Sequence, residues 1–102
     1  MIRAMAAGES IDGVACRGAR SMIGLSQSEL CELAGCGRKL LNDFENGIRV
    51  PSLEKVLDIR LALESVGARF FTTENGTAVT VVAGSAYDRS ARARGFAPDR
   101  QQ

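Results

Sequence analysis

Few residues in the chain have side chains whose chemistry supports catalysis or metal binding. The 102 residues include three cysteines, Cys16, Cys31 and Cys36, and no histidine. An odd number of cysteines without metal-like spacing argues against a zinc site and against a framework of disulfides. Cys36 precedes a predicted helix, which favours a lowered thiol pKa, but no general base accompanies it. We therefore expect no enzyme, no metal site and no cofactor, and the cysteines favour a reduced, cytoplasmic protein.

The stretch from Leu25 to Gly47 predicts two short helices joined by a tight turn. Ser26 is a good N-cap, and Glu29, three residues later, completes a capping box. Gly35 suits the end of the first helix, because glycine adopts positive φ readily. Helices this short are marginal alone in water, so they need a supporting bundle. Apolar residues recur on each helix at helical spacing: Leu30, Leu33 and Ala34, then Leu40, Leu41 and Phe44.

The same stretch contains a dense motif, L-S-Q-x-E-L-x-x-L-A-G-x-x-R-x-x-L-x-x-F-E-N-G. It resembles the helix-turn-helix of the Cro/C1 repressor family, also called the XRE family, and the resemblance covers roughly residues 14–66. The resemblance implies a mainly helical, lambda-repressor-like bundle of about four to five helices that binds double-stranded DNA. The second motif helix, from about Arg38 to Asn46, would enter the major groove.

Residues on the outer side of that second helix are the candidates for reading bases. Arg38 and Lys39 can donate to guanine O6 and N7, and Asn42 can pair with adenine or a phosphate. Asp43 can accept from cytosine N4 or orient the neighbouring cations, and Leu40 can meet a thymine methyl group. Leu41 and Phe44, with Leu30 and Leu33, are expected to point into the core.

The resemblance assigns roles to further residues. It implies that Gln27 contacts a phosphate and braces the recognition helix, and that Asn46 and Arg49 contact phosphates near the far end. It also pairs Arg20 with Glu45, which would tie the first helix to the recognition helix. The predicted DNA-binding set is Gln27, Arg38, Lys39, Leu40, Asn42, Asp43, Asn46 and Arg49.

The segments around the motif predict two more helices. Ser10 can cap a helix from about Ile11 to Ile23, and its expected apolar stripe comprises Val14, Ala15, Ala19 and Met22. Small residues at Gly13 and Gly18 weaken this helix or permit close packing. Ser52 can cap a helix from Leu53 to about Val66 that is apolar on more than one side. We expect residues 1–9 to be a flexible arm and residues 10–66 to be the DNA-binding domain.

Residues 67–83 predict a β-hairpin with Asn75-Gly76 as its two-residue loop. This loop pairs Phe70 with Val81 and Thr72 with Val79. Because a lone hairpin is marginal in water, one face is expected on the fourth helix. The other face or the strand edge would meet the same hairpin of a second subunit; the alternative is a hairpin folded onto its own monomer. The predicted dimerisation residues are Phe70, Phe71, Val79 and Val81.

The net charge and the C-terminal tail give weaker indications of function than the motif does. The net charge is only +1, so a positive docking face must come from local clustering of Arg17, Arg38, Lys39 and Arg49. Residues 84–102 contain four arginines and two aspartates and predict a disordered tail, for which solvation is favoured over nonspecific phosphate contact. No apolar run approaches the roughly 18 residues of a membrane span, and no signal peptide is predicted.

The leading hypothesis is a homodimeric, sequence-specific transcriptional regulator, acting as a repressor on a palindromic operator. The first alternative is a DNA-binding antitoxin that also binds a partner toxin. The second is a protein-interaction module that uses the same helices without DNA. A protein partner, either a toxin or the polymerase, therefore stays open at this stage.

Overall fold

The computed structural model describes residues 1–82, and in this part the chain is mainly helical. The helices are α1 (Gly13–Ile23), α2 (Gln27–Ala34), α3 (Arg38–Glu45) and α4 (Leu53–Ser65). The strands are β1 (Arg3–Ala4), β2 (Ala68–Thr73) and β3 (Gly76–Val81). They form one antiparallel sheet in the order β1-β2-β3. The predicted helical bundle followed by a hairpin is therefore present, whereas residues 83–102 and the predicted disordered tail lie outside the described residues.

Helix α1 begins later than the sequence predicted. Its N-cap is Asp12, whose carboxylate accepts from the backbone N–H of Ala15 at 2.8 Å, and Ser10 caps nothing. Ile11, the residue before the cap, packs into the core, which fixes how the chain enters the helix. The predicted apolar stripe is also partly wrong, because Val14 is 77% exposed and Met22 is 48% exposed. The buried face consists of Gly13, Ala15, Cys16, Ala19 and Ile23.

The small residues of α1 allow α3 to approach closely at one point. A Cβ atom added to Gly13 would lie 1.9 Å from the backbone oxygen of Phe44, so only glycine fits there. A Cβ added to Gly18 would have nothing within 4 Å. Close packing between helices therefore requires a glycine at position 13 but not at position 18.

The two motif helices form as predicted in most respects. Ser26 Oγ accepts from the N–H of Glu29 at 3.0 Å, and the Glu29 carboxylate accepts from the N–H of Ser26 at 2.8 Å. Gly35 ends α2 with φ of 71°. Leu30, Leu41 and Phe44 are buried as expected, but Leu33 is 50% exposed. Leu33 lies on the side of α2 that no described element covers fully, so its inward placement was wrong.

Helix α4 crosses the bundle and supplies much of the core. Ser52 caps it by accepting from the N–H of Lys55 at 3.2 Å, as predicted. Its apolar residues do not all face inward, because Leu53 and Leu61 are exposed. The buried side consists of Val56, Ile59, Arg60, Ala62 and Leu63.

The hairpin has the predicted faces but a different register. Phe70 pairs with Val79 rather than Val81, and Thr73 pairs with Gly76, so Glu74 and Asn75 form the loop. Thr73 Oγ1 supports this loop by accepting from the N–H of Asn75 and donating to the carbonyl of Gly76, both at 3.1 Å. Because the register differs by two residues, each side chain stays on its predicted face.

Residues 1–9, expected to be a flexible arm, contribute an edge strand instead. Arg3 pairs with Thr72, and the N–H of Met5 donates to the carbonyl of Phe70 at 3.0 Å. The side chain of Arg60, on α4, is only 6% exposed and contacts the segment that follows β1. Its guanidinium donates to the carbonyls of Met5, Ala6 and Glu9 at 3.1, 2.5 and 2.8 Å. A buried cation that needs backbone acceptors therefore fixes this segment.

Candidate nucleic-acid interface

The helix-turn-helix presents most of the predicted DNA-binding side chains on its surface. Arg38, Lys39, Asn42 and Asn46 are exposed along α3 and its C-cap, and Arg49 is exposed in the loop that follows. Gln27 is half-buried at the first position of α2. Because α3 is only eight residues long, its position depends on how neighbouring elements hold its two ends.

Gln27 links the start of α2 to three points of α3. Its side-chain nitrogen donates to Asn42 Oδ1 at 3.3 Å and to Glu45 Oε1 at 3.1 Å. Its side-chain oxygen accepts from Arg38 Nη2 at 3.2 Å. The bracing role that the resemblance implied for Gln27 is therefore built into the fold.

Arg38 is held at the start of α3 by two side chains of α2. Its Nη1 donates to Ser28 Oγ at 3.0 Å, in addition to the Nη2 contact with Gln27. A guanidinium carries five N–H donors, so several stay available for a base edge or a phosphate. Sequence reasoning missed Ser28, since only the meeting of α2 and α3 shows that its hydroxyl restrains this arginine.

The ion pair between Arg20 and Glu45 is present. Arg20 Nε lies 2.8 Å from Glu45 Oε2, and Arg20 Nη2 lies 2.9 Å from Glu45 Oε1. The guanidinium also donates to the carbonyl of Leu25 at 3.0 Å, so it joins α1, the start of α2 and the end of α3. Two parallel N–H···O contacts fix orientation as well as distance.

Glu45 is buried, with 3% of its surface exposed, and every donor around it comes from another element. Cys16 Sγ is 3.4 Å from its Oε2, and Gln27 contributes the hydrogen bond described above. Burial acts to raise the pKa of Glu45, but the hydrogen bonds from Arg20 and Gln27 outweigh it and hold the pKa below its ordinary value. Burial, with the carboxylate alongside, raises the pKa of the Cys16 thiol.

The far end of α3 is tied to α1 through Arg17. Arg17 Nη2 donates to the carbonyl of Glu45 at 3.3 Å and to the side-chain oxygen of Asn46. Asn46 in turn donates to the carbonyl of Asn42 at 2.8 Å. Arg17 and Arg49 also line an open cleft of about 450 Å³ between α1 and the loop after α3. Arg17, which was predicted as part of a positive docking face but not among the DNA-contacting residues, therefore lies on this surface.

Two predicted reading residues lie elsewhere. Asp43 is 8% exposed, so its expected place on the outer side of α3 was wrong. Its carboxylate accepts from Lys39 Nζ at 3.2 Å, and its backbone carbonyl accepts from the N–H of Ile48 at 2.9 Å. Of the two roles predicted for Asp43, the geometry fits the orientation of a neighbouring cation and not readout of cytosine. Leu40 is half-buried and packs against the core, which limits its contact with a thymine methyl group.

The charges of this surface explain how a nearly neutral chain presents a positive face. The Glu45 carboxylate is matched by Arg20, and the Asp43 carboxylate is matched by Lys39. Arg38 contacts only neutral groups among the residues that the structure describes. Arg17 likewise meets a carbonyl and an amide. Within residues 1–82, the uncompensated positive charge of this surface therefore comes from Arg17 and Arg38, which are held by hydrogen bonds to neutral groups.

The predicted dimerisation residues divide between the two faces of the hairpin. Phe70 is buried in the core of its own monomer, and Val79 and Val81 pack against that core. Phe71 is half-buried on the opposite face, beside the exposed residues Arg69 and Thr80. Only Phe71 of the four is therefore placed where a second subunit can reach it.

Within residues 1–82, no group of three or more potential ligands is placed to hold a metal ion. None of the described helices is long and apolar enough to span a membrane.

No curated protein is similar enough to the chain to count as a match. A family model described as helix-turn-helix, HTH_3, matches residues 19–70, which is just over half of the chain and includes α2, α3 and α4. The chain therefore belongs to the HTH_3 helix-turn-helix family of Cro/C1 (XRE) type, a family of DNA-binding domains.

Proposed function

We propose that this protein is a sequence-specific transcriptional regulator that binds a palindromic operator as a homodimer and represses transcription. The observation that carries the proposal is the exposed Arg38 guanidinium at the start of α3, held by Ser28 and Gln27 at 3.0 and 3.2 Å. An arginine that is already oriented loses little rotamer entropy when it donates to guanine O6 and N7. The three free cysteines fit a reducing, cytoplasmic location.

Contacts along the rest of the interface support binding by the whole recognition helix. Asn42 and Asn46 are exposed one turn apart on α3, and Gln27 and Arg17 hold them from either side. Arg49 follows within three residues, where its exposed charge suits a phosphate. This arrangement combines base readout at the start of α3 with backbone contacts at its far end.

The first experiment measures binding to the DNA upstream of the protein's own gene by fluorescence anisotropy at two salt concentrations. Arg38→Ala should weaken binding by about 1–3 kcal/mol and relax base preference at one position of each half-site. Arg3→Ala is the matched control, because Arg3 is exposed on β1, at the opposite edge of the sheet from β3, and its guanidinium pairs with Glu9.

Equal loss in both variants would mean that total charge, not α3, carries the binding. Absence of binding by the unaltered protein at both salt concentrations would count against the regulator. A pull-down for a protein partner would then be the next step.

The homodimer is argued from the sheet. Strand β3 pairs only with β2 in residues 1–82, so its other edge presents unpaired backbone groups. Phe71 is half-buried and Val82 is 43% exposed, which leaves apolar surface beside that edge. A second copy related by a two-fold axis would cover both and present two recognition helices to successive major grooves.

Sedimentation velocity with Phe71→Glu tests this dimer. The variant should sediment as a monomer and lose operator affinity, because the carboxylate would lose water at the covered face and the apolar contact of the ring would be removed. Leu33→Glu is the control, since it places the same charge on exposed apolar surface of α2, away from the hairpin. A Phe71→Glu protein that sediments like the unaltered one would place the dimer contact elsewhere.

A further inference from the structure

Two of the three cysteines lie in contact within the turn of the helix-turn-helix. Cys31 is on α2, Cys36 is between α2 and α3, and their sulfur atoms are 3.7 Å apart. The carbonyl of Cys31 accepts from the N–H groups of both Gly35 and Cys36, at 2.8 and 3.1 Å. In this type of helix ending, the side chains at these two positions commonly make an apolar contact that closes the turn. Here two thiols occupy that contact.

The three thiols differ in how a reagent can reach them. Cys36 is half-buried in the turn, and Cys31 is 8% exposed behind it. Cys16 is fully buried and its thiol lies against the Glu45 carboxylate. A reagent from solution therefore meets Cys36 first, and Cys31 is the only described thiol in contact with it.

We propose that Cys31 and Cys36 are a dithiol modification site, which a small-molecule disulfide oxidises to an intramolecular disulfide that weakens DNA binding. The effect on DNA binding rests on the proposed function, whereas formation of the bond does not. In the first step the Cys36 thiolate attacks one sulfur of the small disulfide, whose S–S bond breaks and releases one small thiol. In the second step the Cys31 thiolate attacks the Cys36 sulfur of the mixed disulfide and releases the second small thiol. The protein loses two hydrogen atoms and the small disulfide gains them.

The new bond would change the turn that positions α3. Because a disulfide holds its sulfur atoms about 2.05 Å apart, the pair must close by roughly 1.7 Å from its present separation. Cys36 lies between Gly35, in the left-handed region, and Gly37, which caps α3 without a side-chain hydrogen bond. Because both neighbours are glycines, the backbone at Cys36 can move together with its sulfur atom. Arg38 comes directly after Gly37, at the start of α3. The displacement therefore acts on the two contacts that hold Arg38 against Ser28 and Gln27.

Burial and the adjacent Cys31 thiol raise the pKa of Cys36 to about 11, and Lys55 opposes this only weakly. Cys36 is therefore mostly protonated at neutral pH, so exchange should be slow and should accelerate as pH rises. The raised pKa of Cys36 also means that its reduced form is not stabilised as a thiolate, which favours a disulfide once it has formed.

The full chain is treated with oxidised glutathione and examined by intact-mass spectrometry, alkylation and operator binding. The expected product has lost about 2 Da, keeps one alkylatable thiol after denaturation, and binds DNA about tenfold more weakly until dithiothreitol restores it. Cys36→Ser should bind DNA like the unaltered protein and be insensitive to the oxidant. Cys31→Ser should stop at the mixed disulfide.

A mixed disulfide that persists in the unaltered protein would overturn the proposed bond. A disulfide that forms while operator affinity stays constant would overturn its effect on DNA. If the reduced protein binds no operator, the proposed function fails and the effect on DNA fails with it. The mass and alkylation results would still decide whether the two thiols join.

Discussion

At the scale of single residues, the Glu45 carboxylate organises the interface although it does not reach the surface. It accepts from Arg20 twice, from Gln27 and from Cys16, which come from α1 and α2. A buried carboxylate with this many donors is satisfied only when all three helices are in place. Losing either member of a buried ion pair costs about 3–5 kcal/mol, since the other charge stays buried alone.

The same carboxylate makes stability depend on pH. Its pKa is lower in the folded protein than the ordinary value of about 4.3 in an unfolded chain. The stabilisation is therefore complete above the unfolded pKa and is lost as pH falls through the folded pKa. Thermal unfolding followed by circular dichroism should show a melting temperature that falls steeply below about pH 4.5.

Glu45→Gln should be less stable at neutral pH, and its melting temperature should fall less steeply as the pH is lowered. Glu9 also titrates low, with its pKa lowered to about 2 by the hydrogen bond from Arg3 and that from the Ala6 N–H. Glu9→Gln therefore serves as the comparison for a surface carboxylate. If the melting temperature of Glu45→Gln falls with decreasing pH as steeply as that of the unaltered protein, the Glu45 carboxylate is not the cause of the loss of stability in acid.

At the scale of secondary-structure elements, the approach of α1 to α3 is the tightest constraint. Gly13 begins α1 where the backbone of Phe44 passes, so the two helices touch without an intervening side chain. This contact and the Arg20–Glu45 pair fix the C-terminal end of α3, where Gln27 also donates to Glu45.

Two glycines on one helix give a matched test. Gly13→Ala should destabilise the protein by about 1–3 kcal/mol or more, because its methyl group would clash with a backbone oxygen that cannot rotate away. Gly18→Ala has open space and should stabilise by up to about 1 kcal/mol through helix propensity. Urea unfolding measures both. Equal effects of the two substitutions would show that α1 and α3 separate without cost.

At the scale of the whole molecule, Arg60 connects helix α4 to the N-terminal segment. It lies on α4, pairs with Glu64 at 2.9 Å, and donates to three carbonyls of residues 5–9. Residues 3 and 4 then add a strand beside β2, so the N-terminal segment, α4 and the hairpin form one unit. Within residues 1–82, the outer edge of β3 has no strand paired with it.

Arg60→Met should release this segment while keeping most of the apolar side-chain volume. The backbone amide of Met5, which donates to Phe70, should exchange with deuterium much faster, because the segment loses its hydrogen bonds from the Arg60 guanidinium. Arg69→Met is the control, since that guanidinium is exposed and, among the described residues, donates to two nearby carbonyls of α4 and β2. Unchanged exchange at Met5 in the Arg60 variant would mean that β1 pairing alone holds the segment.

Local patterns in the sequence determined the helix-turn-helix. The capping box at Ser26 and Glu29, the stop at Gly35 and the start of α4 after Ser52 depend on neighbours a few residues apart, and all are present. The faces of the hairpin followed from the two-residue period of a strand. The loop position did not, because Thr73 supports a turn at Glu74 and Asn75 that the Asn-Gly pattern does not predict.

Only the tertiary structure decided which side of each element is covered. Val14, Leu33 and Leu61 have apolar side chains at helical spacing, yet they stay largely exposed because no described element covers them fully. Arg60 is buried because backbone carbonyls of residues 5–9, distant in sequence, accept from its guanidinium, whereas the partner of buried Asp43 is Lys39 on the same helix. Spacing along the chain specifies a helix and its phase. Burial and charge pairing depend on which other elements pack alongside, which is why the roles of Ser28 and Arg60 became visible only in the tertiary structure.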